Sequence, residues 1–148
     1  MNFTAREEYG LLATVHLGLH GNGEPIQSRE IARAEGIPEQ FLEQVMAGLR
    51  RAGVARSIRG ASGGYVLARP AREITAGDVL RALSGPIVPI KCVNPEAERC
   101  EKLERCAIAD LWQRVQSAVT EVLDNTTIQD LVDKRTSLEE QGSFMMHI

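Results

Sequence analysis

From Tyr9 to Leu19 apolar residues return at three- and four-residue steps, through Leu12, Ala13, His16 and Leu17. That period is helical, and it predicts a first helix with a broad apolar face from Thr4 to about His20. Thr4 and Glu7 stand at capping-box spacing, where hydroxyl and carboxylate each take an orphan N–H of the chain's first turn. Gly21-Asn22-Gly23 ends the helix. A second helix is predicted over Ser28–Glu35, stopped by Gly36. A third opens at Pro38, where the missing N–H would be unpaired anyway. It carries Phe41, Leu42, Val45, Met46 and Leu49 on one stripe and ends near Gly53. Two short helices across a tight glycine turn have the layout of a helix-turn-helix.

The pattern then changes. Val54–Arg59 and Tyr65–Ala68 read as strands, and Gly60-Ala61-Ser62-Gly63-Gly64 reads as the turn between them. A hairpin directly after a helix-turn-helix is a wing. Thr75 and Asp78 repeat the capping-box spacing and open a helix from Ala76 to about Leu83. From Gly85 the periodicity fails, and Pro86, Pro89 and Pro95 forbid a regular helix. Beyond Cys106 a long, narrow stripe runs through Ile108, Leu111, Val115, Val119, Val122 and Leu123, with little chain left to cover it. A partner helix is its natural cover, so a homodimer is expected. Thr126 and Gln129 are read as the cap of a last helix through Ile128, Leu131 and Val132. The tail from Ser137 shows no pattern and is expected to be disordered.

The fold class expected is therefore mainly α, a winged helix-turn-helix with a two-stranded wing and a long C-terminal dimerisation helix. Residues 1–84 form the DNA-binding unit and 85–106 a cysteine-bearing loop. Residues 107–136 form the dimerisation helix and final helix, and 137–148 the tail. No apolar run is long enough for a membrane span, and the charged N-terminus does not resemble a signal peptide, so a cytoplasmic protein is expected.

Charge sharpens the reading. The chain's formal net charge is −3, yet Arg50, Arg51, Arg56, Arg59, Arg69 and Arg72 lie in one stretch without an acidic residue. A compact basic segment within an acidic chain is the footprint of a phosphate-binding surface. The candidate DNA contacts are Ser28, Gln40, Glu43 and Gln44 on the helix-turn-helix, Arg50 and Arg51 at the end of the reading helix, and Arg59, Gly60 and Ser62 on the wing. Gln can bond adenine with two hydrogen bonds and Glu can accept from cytosine N4. Arg50 and Arg51 suit phosphates, and a wing arginine suits a narrow minor groove. The wing glycines lack the following helix and the Lys-Ser/Thr pair that a nucleotide-binding loop needs.

Cys92, Cys100 and Cys106 are the three cysteines, all within fifteen residues. An odd number in a reducing compartment argues against a disulfide framework. Clustered thiolates bind zinc or iron–sulfur centres. The gaps are wider than the usual zinc hook, and they suit a loop wrapped around a larger inorganic cluster. No histidine is near in sequence.

The chain resembles the iron–sulfur-cluster transcription regulators of the Rrf2 superfamily, the IscR, NsrR and RirA type. The resemblance rests on Leu42-Glu43-Gln44, Arg56-Ser57-Ile58-Arg59-Gly60, Gly63-Gly64-Tyr65-Val66-Leu67, the three-cysteine loop, Leu111-Trp112 and Thr127-Ile128-Gln129-Asp130-Leu131. It extends from about Met1 to Lys134. It implies a homodimer on a palindromic double-stranded operator, one cluster per subunit, DNA affinity set by cluster state, and DNA contacts from Glu43, Gln44 and Arg59. IscR-like members carry a histidine three residues past the last cysteine, where this chain has Ala109. NsrR-like members take a fourth ligand from a helix-one carboxylate of the other subunit, and Glu8 holds that place, with Glu101, Glu104 and Asp110, nearer in sequence, as competitors. The resemblance thus implies a 4Fe-4S cluster, with 2Fe-2S as the alternative. A cluster-sensing regulator, a repressor and no enzyme, is the leading expectation. A redox or electron-transfer protein and a zinc-stabilised DNA-binding protein are the rivals.

Overall fold

The computed structural model describes residues 3–88, 98 and 100–146. Helices α1 (Ala5–His20), α2 (Ser28–Glu35) and α3 (Glu39–Arg51) come first. Strands β1 (Ala55–Ile58) and β2 (Gly64–Leu67) follow, then a 3₁₀ turn at Ala71–Glu73 and helix α4 (Ala76–Ser84). A 3₁₀ turn at Leu103–Arg105 precedes α5 (Ala109–Asp124) and α6 (Ile128–Met146). The expected class, helices with a two-stranded antiparallel wing, is what is found. Helix α3 begins one residue later than predicted, because Pro38 keeps an extended ψ of 129° and caps the helix rather than joining it.

Helix α1 is the hub and touches α2, α3, α4, α6 and β2. Its middle is buried at Ala13, Thr14, Val15 and Leu17, and the Thr14 hydroxyl donates back to the Gly10 carbonyl at 2.6 Å. Gly10 lets α4 approach closely: a Cβ there would stand 2.2 Å from Leu83 Cδ1. Ile31, Leu42, Val45, Met46, Leu49, Ile74, Val79 and Ile128 are fully enclosed. Each such side chain contributes about 1.5–3 kcal/mol by leaving water. That burial fixes α2, whose eight residues are too few to be helical alone.

The C-terminal third departs from the sequence reading in three ways. The cap of the last helix is Thr127 with Asp130, not Thr126 with Gln129. Thr127 N–H donates to Asp130 Oδ2 at 2.9 Å and Asp130 N–H to Thr127 Oγ1 at 3.0 Å. The Thr126 hydroxyl instead donates to the Val122 carbonyl at 2.7 Å. Second, α6, grouped by sequence with α5 in residues 107–136, is joined by backbone hydrogen bonds to the segment that leads into α4. Ala76 N–H donates to the Thr126 carbonyl and Ile128 N–H to the Ile74 carbonyl, both at 2.8 Å, which carries Ile128 and Val132 into the core. Third, α6 continues as helix to Met146 where a disordered tail was expected. Residues 137–146 are exposed, but no proline interrupts them and the Arg135–Glu139 pair at 3.2 Å spans the junction at helical spacing.

Helix α5 is tied to α4 by Arg81, which meets Asp124 at 2.5 Å and 3.4 Å through its two terminal nitrogens. Within α5 only Ala109 is buried. Ile108, Leu111 and Val122 are about half exposed or more, so much of the stripe stands open in the single chain. Among the described residues no helix is long and apolar enough to cross a membrane.

Candidate nucleic-acid interface and cysteine segment

The α2–α3 turn is made by Gly36 in the left-handed region, φ 68°, with Ile37 N–H donating to the Ala32 carbonyl at 2.9 Å. Ile37 is buried just after it and pins the turn to the core. Helix α3 then divides cleanly. Leu42, Val45, Met46 and Leu49 face inward, while Gln40, Glu43, Gln44, Arg50 and Arg51 are all exposed. The predicted reading residues therefore share the solvent side of one helix.

The wing pairs Ala55 with Leu67, Arg56 with Val66, Ser57 with Tyr65 and Ile58 with Gly64. Gly60 has φ 115°, and a Cβ on Gly63 would lie 2.2 Å from the Ile58 carbonyl oxygen, so the tip closes only with glycine at these places. Arg59, Gly60 and Ser62 are exposed on that tip. Arg50, Arg51, Arg56, Arg59 and Arg72 are also exposed. Arg69 is partly occupied within the fold: it donates to the Glu73 carbonyl at 3.1 Å and lies 3.6 Å from Asp78.

Sequence reasoning missed how the wing is fastened to the helix-turn-helix. Ile26 and Tyr65 exchange backbone hydrogen bonds of 2.9 and 2.8 Å, a one-residue third strand. Gly64 makes the approach possible, because a Cβ there would sit 2.4 Å from the Ile26 carbonyl oxygen. Two residues on, the Ser28 hydroxyl donates to Glu43 Oε1. Gln27, Ser28, Glu43, Gly60 and Tyr65 border a cleft of about 390 Å³ between α3 and the wing. Burial raises the Tyr65 phenol above its ordinary pKa, Glu43's charge pushes it further up and Arg50's draws it down. The sequence showed Ser28 only as the start of a helix and a candidate DNA contact, not as part of this seam.

A second cluster links α1, α2 and α6. Glu35 Oε1 lies 2.9 Å from His16 Nδ1 and 2.6 Å from Arg135 Nη1, with both His16 and Glu35 side chains 6% exposed. The Glu35 hydrogen bond raises the Arg135 pKa and outweighs the opposing effect of burial. The spacing of 16, 35 and 135 gives no hint of it.

Of the candidate cluster ligands, Cys100 is exposed and Cys106 is half-buried just after the 3₁₀ turn at Leu103–Arg105. Cys92 lies outside the described residues. Glu8 is exposed on α1, at the edge of an apolar groove of about 550 Å³ formed with Leu11, Leu12, Val15, Leu131 and Leu138. Among the described residues no three His, Cys, Asp or Glu side chains converge on a metal position. Cys100, Cys106 and Glu8 of one chain therefore make no ligand set by themselves. The donor chemistry of accessible sulfurs fits a thiolate-held cluster. Glu7, by contrast, is buried. It accepts from the Thr4 N–H at 2.8 Å and from the hydroxyls of Thr4 and Ser84.

Comparison with known proteins agrees with this geometry. The Rrf2 family profile, described as iron-dependent transcriptional regulator, matches residues 3–134. The transcriptional regulator CymR of Bacillus subtilis is 40% identical over 149 residues, covering 100% of both chains. The regulator IscR of Pectobacterium carotovorum is 31% identical over 139 residues, 94% of this chain and 84% of its own. The solved structure of CymR, described as the global cysteine regulator of B. subtilis, superposes with a TM-score of 0.75 at 39% identity, covering 90% of this chain and 98% of that one.

Proposed function

This chain belongs to the Rrf2 family of DNA-binding transcription regulators, which are not enzymes, and on that premise we propose that it is a cytoplasmic homodimeric repressor of a palindromic operator, controlled by an iron–sulfur cluster. The observation that carries the cluster is the set of three thiols within fifteen residues, placed between the winged unit and the open stripe of α5. Cys92, Cys100 and Cys106 would hold it, with Glu8 of the partner subunit as fourth ligand. Glu8 suits that role because its neighbour Glu7 is taken up inside the fold while Glu8 itself is exposed. A carboxylate is a harder ligand than a thiolate, which suits an iron site that opens. Without a histidine at Ala109, a 4Fe-4S cluster is preferred over 2Fe-2S.

Held by these residues, a cluster would supply iron- and redox-sensitive chemistry. The chain's own residues do the rest. The α5 stripe and the apolar α1–α6 groove are the surfaces a second copy would cover. Helix α3 and the wing present Gln40, Glu43, Gln44 and Arg59 to base edges, and Arg50 and Arg51 to phosphates. A cluster that stabilises one dimer geometry over another shifts operator affinity only by that difference.

A second reading, control by cysteine metabolism without a cluster, is favoured by the full-length likeness to CymR. Anaerobic purification separates the two. A brown protein with sulfide and about four irons per chain, whose operator affinity changes on cluster loss, supports the cluster. A colourless dimer with unchanged DNA affinity after iron chelation supports the second reading, and zinc alone supports the structural-metal rival.

A further inference from the structure

Ser28 opens α2, and Gln27 before it is the N-cap, yet the Gln27 side chain makes no capping bond. A serine at such a place ordinarily serves the helix end. Here its hydroxyl reaches across to α3 and donates to Glu43 Oε1. Ser28 is not loosely held itself. The paired Ile26–Tyr65 backbone fixes the chain two residues earlier against the wing. The Ser28–Glu43 bond therefore joins α2 to the reading helix α3 at the mouth of the cleft between α3 and the wing, while the Ile26–Tyr65 pairing ties the same segment to the wing.

Glu43 needs such a contact. It is an exposed carboxylate beside a strongly basic, phosphate-seeking stretch. A free glutamate samples many rotamers and loses that freedom on binding. A hydroxyl donor on one oxygen selects an orientation and leaves the other oxygen to accept. In a major groove the edges of guanine and thymine offer that oxygen only acceptors, whereas cytosine N4 offers a donor.

We propose that Ser28 is a specificity-determining positioning residue: its hydrogen bond fixes the orientation of the Glu43 carboxylate at the cleft between the reading helix and the wing, and so sets which base pair that carboxylate accepts. This deepens the DNA-binding reading and rests on it.

The test selects binding sites from a randomised duplex library, using the full-length protein purified anaerobically. Wild type, Ser28→Ala, Ser28→Thr, Glu43→Ala and the Ser28→Ala/Glu43→Ala double variant are then compared on the selected site and its single-base-pair variants. We expect Ser28→Ala to reduce discrimination at one base pair about five- to tenfold, at the same position as Glu43→Ala. Ser28→Thr, which keeps the hydroxyl, restores it, and the double variant is no worse than Glu43→Ala. Discrimination kept within about twofold in Ser28→Ala overturns the proposal. So does a uniform loss across all sequences, which would make Ser28 a phosphate contact. Failure of the wild type to enrich any sequence is a different result and overturns the DNA-binding reading beneath it.

Discussion

Replacing Glu7 by glutamine should destabilise the chain at neutral pH and cease to matter in acid. Glu7 is 6% exposed, and burial, the largest single influence on its carboxyl, pushes the pKa up. The Ser84 hydroxyl, the Thr4 hydroxyl and backbone N–H groups together outweigh it and hold the pKa at about 2, against an ordinary 4.5. Because the folded value lies below the unfolded one, the ionised carboxylate stabilises the fold fully above about pH 4.5, and this contribution disappears as pH falls toward about 2. At about 1.4 kcal/mol per unit the shift corresponds to a ceiling of about 3 kcal/mol. Glutamine keeps the shape but not the charge. The two hydroxyls can turn to meet the amide and recover about 1 kcal/mol, so Glu7→Gln should cost about 2 kcal/mol at neutral pH. Urea unfolding of both proteins at matched protomer concentration, stepped from about pH 7 to about pH 3, measures the gap directly. Burial also pushes the Asp78 carboxyl up and bonds from Thr75 hold it below its ordinary value, but Asp78 is present in both proteins and cancels in the difference. A gap that stays constant with pH, or widens in acid, refutes the assignment of Glu7 as a charged tie between α1 and α4.

Arg59→Ala should weaken operator binding by about 1–3 kcal/mol in a fluorescence-anisotropy titration, whereas Arg51→Ala should weaken all sequences alike and lower the salt slope by about 1. Serine at Cys92, Cys100 or Cys106 should each abolish stable cluster binding, read as iron and sulfide content after anaerobic purification; a variant with full content removes its cysteine from the ligand set. Glu8→Ala should shorten cluster lifetime under air, and an unchanged lifetime and spectrum would sink the Glu8 assignment. Leu42→Ala, in a fully buried position, should cost about 2–5 kcal/mol in the same urea assay and lower binding to every DNA sequence through loss of the folded head.

The winged unit was legible because its signals are local. Leu42, Val45, Met46 and Leu49 recur at helical steps and are indeed buried on one face of α3, leaving Gln40, Glu43 and Gln44 exposed. The capping boxes at Thr4–Glu7 and Thr75–Asp78 each depend on a spacing of three residues, and both formed. The misplaced last cap shows the limit of that method. Thr126 and Thr127 both sit three residues before a polar side chain, and local spacing cannot choose between them. The choice is made by the Ile74–Ile128 hydrogen bond, which joins residues more than fifty positions apart and sets which threonine faces the helix end.

The same reasoning explains why the packing of α6 was not legible in the sequence. Its apolar residues Ile128 and Val132 are few, and nothing in their spacing says which surface they cover. Long-range polar pairs decide it. Glu35 draws Arg135 of α6 to His16 of α1, and a glutamate side chain buried to this degree is tolerable only with such partners. Removing Arg135 would leave that carboxylate with His16 as its remaining named partner rather than merely delete a surface charge. The reading head and the C-terminal helix are therefore parts of one packed body. In α5, tied to this body at Arg81–Asp124, Leu111 and Val122 stay exposed in the single chain while Val115, Val119 and Leu123 are half-buried, and that exposed apolar edge is what the proposed second copy would cover.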